Sequence, residues 1–269
     1  MAWNARRFTS ALAAMAAAFA MDARAQGAVE VPSVPTMIGL GIASVPDYVG
    51  SDDRKFTPLP IFRDTFSDGH RYISLVGTQL TLNLLSSPRF HLGPMLNYHA
   101  ARDDKVDDRV VKNMEKVDAE VELGLFGQMV FADEGNKRNR TIVTGNYLTA
   151  DGRGIARLNV RWWHQVAPQW DLLLGADVAY GDKDYNNHYF GVNPGNVGTS
   201  GLPNYAAGSG VNQYSVTAAA AWYINRSWMG IGGVQLAQIA GDAKDSPLVS
   251  DRGDKNQATF LVGVIYQWR

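Results

Sequence analysis

The 269-residue chain has no cysteine, so neither disulfides nor thiolate metal sites enter its design. It also lacks a long apolar run. The longest, Ala11 to Met21, is about eleven residues, against the roughly 20 a bilayer-crossing helix needs. Charge of one sign is missing too. The formal net charge is −1, far from the basic balance of a nucleic-acid binder. Catalytic signatures are absent as well: no H-E-x-x-H, no G-x-S-x-G, and five scattered histidines without ligand spacing. The residues therefore call for no cofactor, no metal and no enzyme activity.

What is present begins with an export signature. Arg6 and Arg7 precede the short apolar run, and Ala23-Arg24-Ala25 before Gln26 is an A-x-A cleavage site. Residues 1–25 read as a secretory signal peptide cut between Ala25 and Gln26, and residues 26–269 as one mature domain. Removing the signal takes three arginines and one aspartate with it, which leaves a mature charge of about −3.

Period-two alternation dominates the mature chain. From Trp170 to Tyr180 one face carries Trp170, Leu172, Leu174, Ala176, Val178 and Tyr180, and the other Asp171, Leu173, Gly175, Asp177 and Ala179. Ten steps of about 3.3 Å, tilted by about 40°, give a height near 25 Å, that of a barrel wall with aromatic girdles. Residues 154–165, 213–224 and 257–268 repeat the pattern. Strands of ten residues or more exceed the usual five or six of soluble sheets. The expected fold is all-β: a single transmembrane antiparallel β-barrel in contact with outer-membrane lipid. Eleven candidate strands can be drawn, near 36–44, 55–66, 70–83, 90–101, 117–131, 140–148, 154–165, 169–181, 211–224, 227–239 and 257–268. Bacterial barrels usually have an even number, so twelve strands are expected, with ten as the alternative. Short turns at 166–169 and 225–226 contrast with long connections at 102–117, 181–211 and 240–256. Counting back from a periplasmic C-terminus places the last two outside the cell.

Alternation turns Arg157, Arg161, Asp171 and Asp177 into the lumen, because a charge facing lipid at mid-depth costs about 2–4 kcal/mol. They would form either a salt-bridged plug or a charged constriction, and small barrels generally fill with side chains. A dense turn segment, VPDYVGSDDRKFTPLP (residues 45–60), separates two strand-like runs. Pro46, Pro58 and Pro60 suit loop or strand-edge positions. Asp47, Tyr48 and Asp52 are candidates for loop recognition, as are Tyr189, Phe190 and Tyr205 in the 181–211 connection. Asp103, Asp104, Asp107 and Asp108 read as a solvated acidic loop.

Pro46-Asp47-Tyr48-Val49-Gly50-Ser51-Asp52 with Pro58-Leu59-Pro60 resembles the N-terminal hallmark of the MipA/OmpV family of outer-membrane proteins. Tyr189-Phe190-Gly191-Val192, Ser200-Gly201-Leu202-Pro203-Asn204-Tyr205 and Gly241-Asp242-Ala243-Lys244-Asp245-Ser246-Pro247-Leu248-Val249 resemble its later motifs, in order. The chain departs from the family in ending Trp268-Arg269 rather than on an aromatic. It also carries Asp151-Gly152-Arg153-Gly154 where a histidine-containing segment is common. The resemblance implies a Gram-negative outer-membrane barrel and, from the member that names the family, a scaffold for a murein hydrolase and a murein synthase. It supplies no catalytic residues. A small-solute channel and a lipid-modifying enzyme are the alternative functions.

Overall fold

The computed structural model describes residues 36–268. The expected signal peptide and its Ala25/Gln26 cleavage site lie outside the described residues. Twelve antiparallel strands close into a barrel in sequential order. They are β1 (Thr36–Pro46), β2 (Arg54–Thr65), β3 (Tyr72–Val76), β4 (Gln79–Asn83), β5 (Phe90–His99), β6 (Glu120–Ala132), β7 (Arg140–Ala150), β8 (Arg153–Ala167), β9 (Trp170–Gly181), β10 (Gly210–Tyr223), β11 (Trp228–Ile239) and β12 (Asn256–Trp268). Closure comes from β1 pairing with β12, in a register that sets Leu40 opposite Val264. Among the described residues no helix is long and apolar enough to cross a membrane; the strands do so.

The strand count corrects one segment. Residues 70–83 are two short strands joined by a tight turn at Gly77-Thr78, not one strand. Gly77 sits at φ +60°, a conformation that costs glycine nothing. The apolar face falls on Ile73 and Leu75 before the turn and on Leu80 and Leu82 after it, a one-residue change of phase that marks the turn. The shortness of β3 has a consequence for β2, which pairs with β3 only from Ile61 to Thr65. The Gly77 N–H donates to Pro60 O, so Pro60 and, two residues on, Pro58 turn their nitrogens toward the side that β3 leaves unpaired. Proline needs such a place, having no N–H for a ladder.

Neighbouring residues show which face meets what. Val264 is 46% exposed and Ile265 3%: the first points out of the barrel, the second into it. Val160, Leu174, Val216, Leu236 and Val262 are exposed on the same outward face, as a lipid-facing wall requires. Aromatics gather at both edges of this apolar band. At the end that carries the termini, Trp170 and Trp222 stack at 5.9 Å and Trp228 meets Tyr266 at 5.0 Å. Trp162 stacks on His164 at 4.8 Å there too. At the other end stand Phe56, Tyr147, Tyr214 and Phe260. Rings at both headgroup levels are the girdles expected of a membrane barrel.

The connections differ between the two ends. The end with the termini has only short turns. The opposite, loop end carries residues 47–53, 100–119, 182–209 and 240–255, together with two tight hairpins, Gly77-Thr78 and Asp151-Gly152. Asp151 and Gly152 both adopt positive φ, the geometry for which Asp-Gly is favoured in two-residue hairpins. The 182–209 connection is not structureless. It holds α1 (Lys183–Phe190) and α2 (Pro194–Ser200). The Asp182 carboxylate accepts from Tyr185 N at 2.7 Å and caps α1. The Asn193 side chain accepts from Asn196 N at 2.9 Å and caps α2, with Pro194 in its first turn. Two short helices, α3 (Gly241–Lys244) and α4 (Pro247–Ser250), shape the last connection.

Candidate functional site

Four loop-end connections, 47–53, 100–119, 182–209 and 240–255, fold together over the barrel mouth as a cap with its own core. Tyr48, Val106, Val111, Met114, Val192, Leu202 and Leu248 form one buried cluster drawn from all four. Below it, Tyr185, Tyr189 and Phe190 of α1 pack onto barrel residues Met95, Phe126, Leu148 and Ile155. Water-exposed loops cannot bury their backbone without partners, and the cap supplies them. Val192 pairs with Tyr205 and Ser51 with Gly253 as isolated bridges. The Ser246 hydroxyl donates to Phe190 O, and Asn186 Nδ2 donates to Gly208 O at 2.8 Å.

The turn segment around Tyr48 is the latch of this cap. The Tyr48 hydroxyl donates to Arg252 O at 3.1 Å and reaches Leu248 O at 3.4 Å. Burial, then the charge of Asp108, pushes its phenol pKa up, so it stays a donor. The buried Asp47 carboxylate accepts from Asp107 N at 3.0 Å and pairs with Lys55 at 3.2 Å. Gly50, at φ +101°, lies so close to Gly253 that a Cβ on Gly253 would sit 1.8 Å from Gly50 O. A side chain at residue 253 would force the two loops apart. Asp52 is exposed.

The acidic loop is organised by its own acids. Asp108 accepts from Val110 N and Val111 N at 2.8 Å and forms a two-nitrogen ion pair with Arg252, the shorter contact 2.5 Å. Burial raises its carboxyl pKa, but the Arg252 and backbone donors outweigh that and hold it below the usual range. Asp104 pairs with Lys116 at 3.1 Å, and Asp103 accepts from Lys105 N at 3.0 Å.

The remaining candidates divide between cap and lumen. Tyr189 and Phe190 are buried, and Tyr189 stacks on His99 at 4.2 Å. Tyr205 is half-buried and donates to Asp242 O at 2.6 Å. In the bore, Arg161 meets Asp177 through two nitrogens, the shorter contact 2.6 Å, and the Ser215 hydroxyl joins at 3.1 Å. Asp171 is buried nearer the turn end, where it accepts from Arg138, Trp163 Nε1 at 2.7 Å and the Tyr223 hydroxyl at 2.9 Å. Arg157 lies on the same inward face, and its Nη1 is buried without a partner.

Several polar residues escape a reading by composition. Arg138 sits in the 133–139 turn and reaches back to Asp171. Glu120 and Glu122 alternate with the outward Val121 and Leu123 and so turn inward, a period-two signal open to inspection. Arg153, at the start of β8, pairs with Glu120 and with Asp151. A cavity of about 750 Å³ opens beside these residues on the loop end, bounded by Arg102, Arg153, His188, Asn193, Asn204 and Tyr205 among others. A smaller one of about 220 Å³ lies in the bore beside Arg63, Tyr72, Asn146 and Asn159. Among the described residues no three His, Asp or Glu side chains gather as a metal site.

The sequence profile of the family described as MltA-interacting protein MipA matches residues 38–268, all but the first two residues of the barrel, with its cap. This chain belongs to that family. A curated relative, outer membrane protein Omp26La of Vibrio anguillarum, is 27% identical over 162 residues, 59% of this chain and 60% of that protein. The chain thus spans about 60% of the relative's length. Among solved structures, the NanC porin overlaps 87% of this chain and 100% of its own at 8% identity, with a TM-score of 0.49. An outer-membrane channel of Pseudomonas putida F1 overlaps 91% and 99% at 10% identity, with a TM-score of 0.47. The MipA-family chain is a protein of the Gram-negative outer membrane, its apolar wall and double girdle matching that place.

Proposed function

We propose that this MipA-family barrel acts as an interaction scaffold in the outer membrane, holding peptidoglycan-remodelling enzymes such as a murein hydrolase or synthase at its periplasmic face. The observation that carries the reading is the cap: four connections share one buried core across the mouth, an arrangement suited to a closed body rather than an open pore. The family's own description, MltA-interacting protein, points to the same class of partner. The turn end would present the docking surface. It is ordered by side chains: the Asp68 carboxylate is bonded by Arg71 Nε at 2.6 Å and by the Ser86 hydroxyl, linking two neighbouring turns. Chemical crosslinking of the full chain in native outer membrane, followed by recovery of the adducts, tests the reading. A murein enzyme crosslinked through residues 66–71, 84–89 or 133–139 supports it, and repeated recovery of none overturns it.

One observation favours a second reading, passage of small anionic solutes. Arg63 borders the cavity in the bore, and its Nε is buried without a partner. Steady single-channel steps in planar bilayers, altered by Arg161→Ala, would favour passage. Electrical silence would favour the scaffold.

A further inference from the structure

The loop-end cavity has a division of charge that the scaffold reading does not use. Its deepest cation is Arg102, only 8% exposed. Arg102 Nη1 donates to Tyr189 O at 2.9 Å, while Nε is buried and bonds nothing among the described residues. No carboxylate pairs with it among the described residues, and burial lowers its guanidinium pKa. A guanidinium taken out of water at a cost of several kcal/mol ordinarily has an anion beside it. Arg153 and His188 border the same space, and their Nε and Nε2 are likewise buried without a hydrogen bond, His188 Nε2 lying 4.0 Å from Glu120 Oε1. Arg153 already has Glu120 and Asp151; Arg102 has no such partner.

The carboxylates of the cavity lie elsewhere. Glu115, Asp151 and Asp184 border it but are exposed, Asp151 with 84% of its side chain in solvent. Lys116 borders it as well, exposed but paired with Asp104 at 3.1 Å, so a buried cation and a net acidic rim remain, a better match for a molecule with one charge of each sign than for a dianion. The lining is rich in amides, Asn187, Asn193, Asn196 and Asn204. Asn193 is bonded through both its oxygen and its nitrogen, and the Asn187 and Asn196 oxygens accept from Ala207 N and Glu115 N. The side-chain N–H groups left over can donate to peptide carbonyls. A volume of about 750 Å³ holds several residues of an extended chain.

We propose that this cavity binds a short zwitterionic peptide, its C-terminal carboxylate on the Arg102 guanidinium and its N-terminal ammonium among Glu115, Asp151 and Asp184. A guanidinium fork suits a carboxylate because two parallel N–H groups meet two oxygens. The site faces the loop end, away from the turns of the scaffold reading, and stands or falls independently of it.

The test uses the full chain folded in detergent and titrated calorimetrically with trialanine, trialanine amide and N-acetyl-trialanine. Trialanine is expected to bind, the amide about tenfold or more weaker because the buried charge is then left without its partner. The acetylated peptide should fall between them. Arg102→Gln should reduce trialanine to the level of the amide while leaving the amide itself unchanged. Asp184→Asn should narrow the gap between trialanine and its acetylated form. Absence of trialanine binding at about 10 mM, a few kcal/mol at most, overturns the proposal. So does equal binding of trialanine and its amide. If Arg102→Gln fails to fold, as judged by loss of the heat-modifiable compact band, the three peptides on the unaltered chain decide the matter alone.

Discussion

The outer wall and the loop-end cap hold apolar residues in opposite ways. On the wall, Leu40, Leu174, Val216, Val262 and Val264 are exposed and depend on lipid to cover them. In the cap, Tyr48, Val111, Val192 and Leu248 are buried against one another, and their connections supply nearly all the polar partners. The wall is a surface whose solvent is the membrane; the cap is a small water-type core built on top of it. The comparison teaches that one chain satisfies two solvents by separating two periodicities. Strict alternation serves the wall, and irregular turn chemistry serves the cap. It also predicts that damage to one region leaves the other standing.

The largest effect is expected inside the bore that joins the two regions. Asp171→Ala strands Arg138 and removes the acceptor for Trp163 and Tyr223. Arg138 keeps 31% of its side chain in solvent, so the cost comes mainly from the lost hydrogen bonds to a buried carboxylate, about 1.5–3 kcal/mol each, and denaturant unfolding in bilayers should show that loss in the whole barrel. Next comes the wall. Leu174→Arg places a charge at mid-depth in lipid and should cost about 2–4 kcal/mol in the same assay. A loss near zero would mean that this face does not meet hydrocarbon. Smaller again is the latch. Tyr48→Phe removes the one donor that Arg252 O and Leu248 O share, a cost of about 1–2 kcal/mol. That loss should appear as faster amide exchange in residues 240–255 with strand protection unchanged. If the strands loosen equally, cap and wall are one cooperative unit and the comparison fails.

Acid should separate the regions by degrees. Burial, then the charge of Arg153, lowers the His188 pKa, with Glu120 opposing. A depressed group favours folding above its unfolded value, so the cap should begin to weaken as pH falls below about 6.5, where the opened cap takes up a proton that the closed one refuses. Asp108 is held below the value of about 3.8 usual for aspartate. Its pairing with Arg252 contributes fully above that pH and is lost as pH falls through the lower folded value. Limited proteolysis of residues 100–119 and 240–255 across pH 7 to 3 should show both steps. Cutting that is independent of pH would remove these groups from the latch.

Much of the wall was legible because lipid imposes a simple rule on each strand. Ten of the eleven drawn strands fall within a few residues of observed ones. The exception, 70–83, contains a turn that is legible only as a one-residue change of phase, the apolar face moving from Ile73 and Leu75 to Leu80 and Leu82 across Gly77-Thr78. Proline positions were half legible. Their suitability for an edge follows from chemistry, but that Pro58 and Pro60 lie beyond the end of β3 depends on the length of a different strand. The cap was legible only as loops. Asp47 and Tyr48 could be marked as unusual, yet their partners lie at Asp107, Leu248 and Arg252. Arg102 carries no signal in the sequence, since one arginine in an acidic loop looks solvated until burial and the missing anion are seen together.

By itself the sequence determined the barrel. A period of two, strands long enough for a membrane and aromatics at their ends leave a chain little else to form, because every unpaired backbone group in hydrocarbon carries a heavy cost. Only the tertiary structure decided what covers the mouth and which charges go without partners. Those outcomes depend on contacts across as many as two hundred residues, as from Tyr48 to Arg252, and local pattern has no means of expressing them.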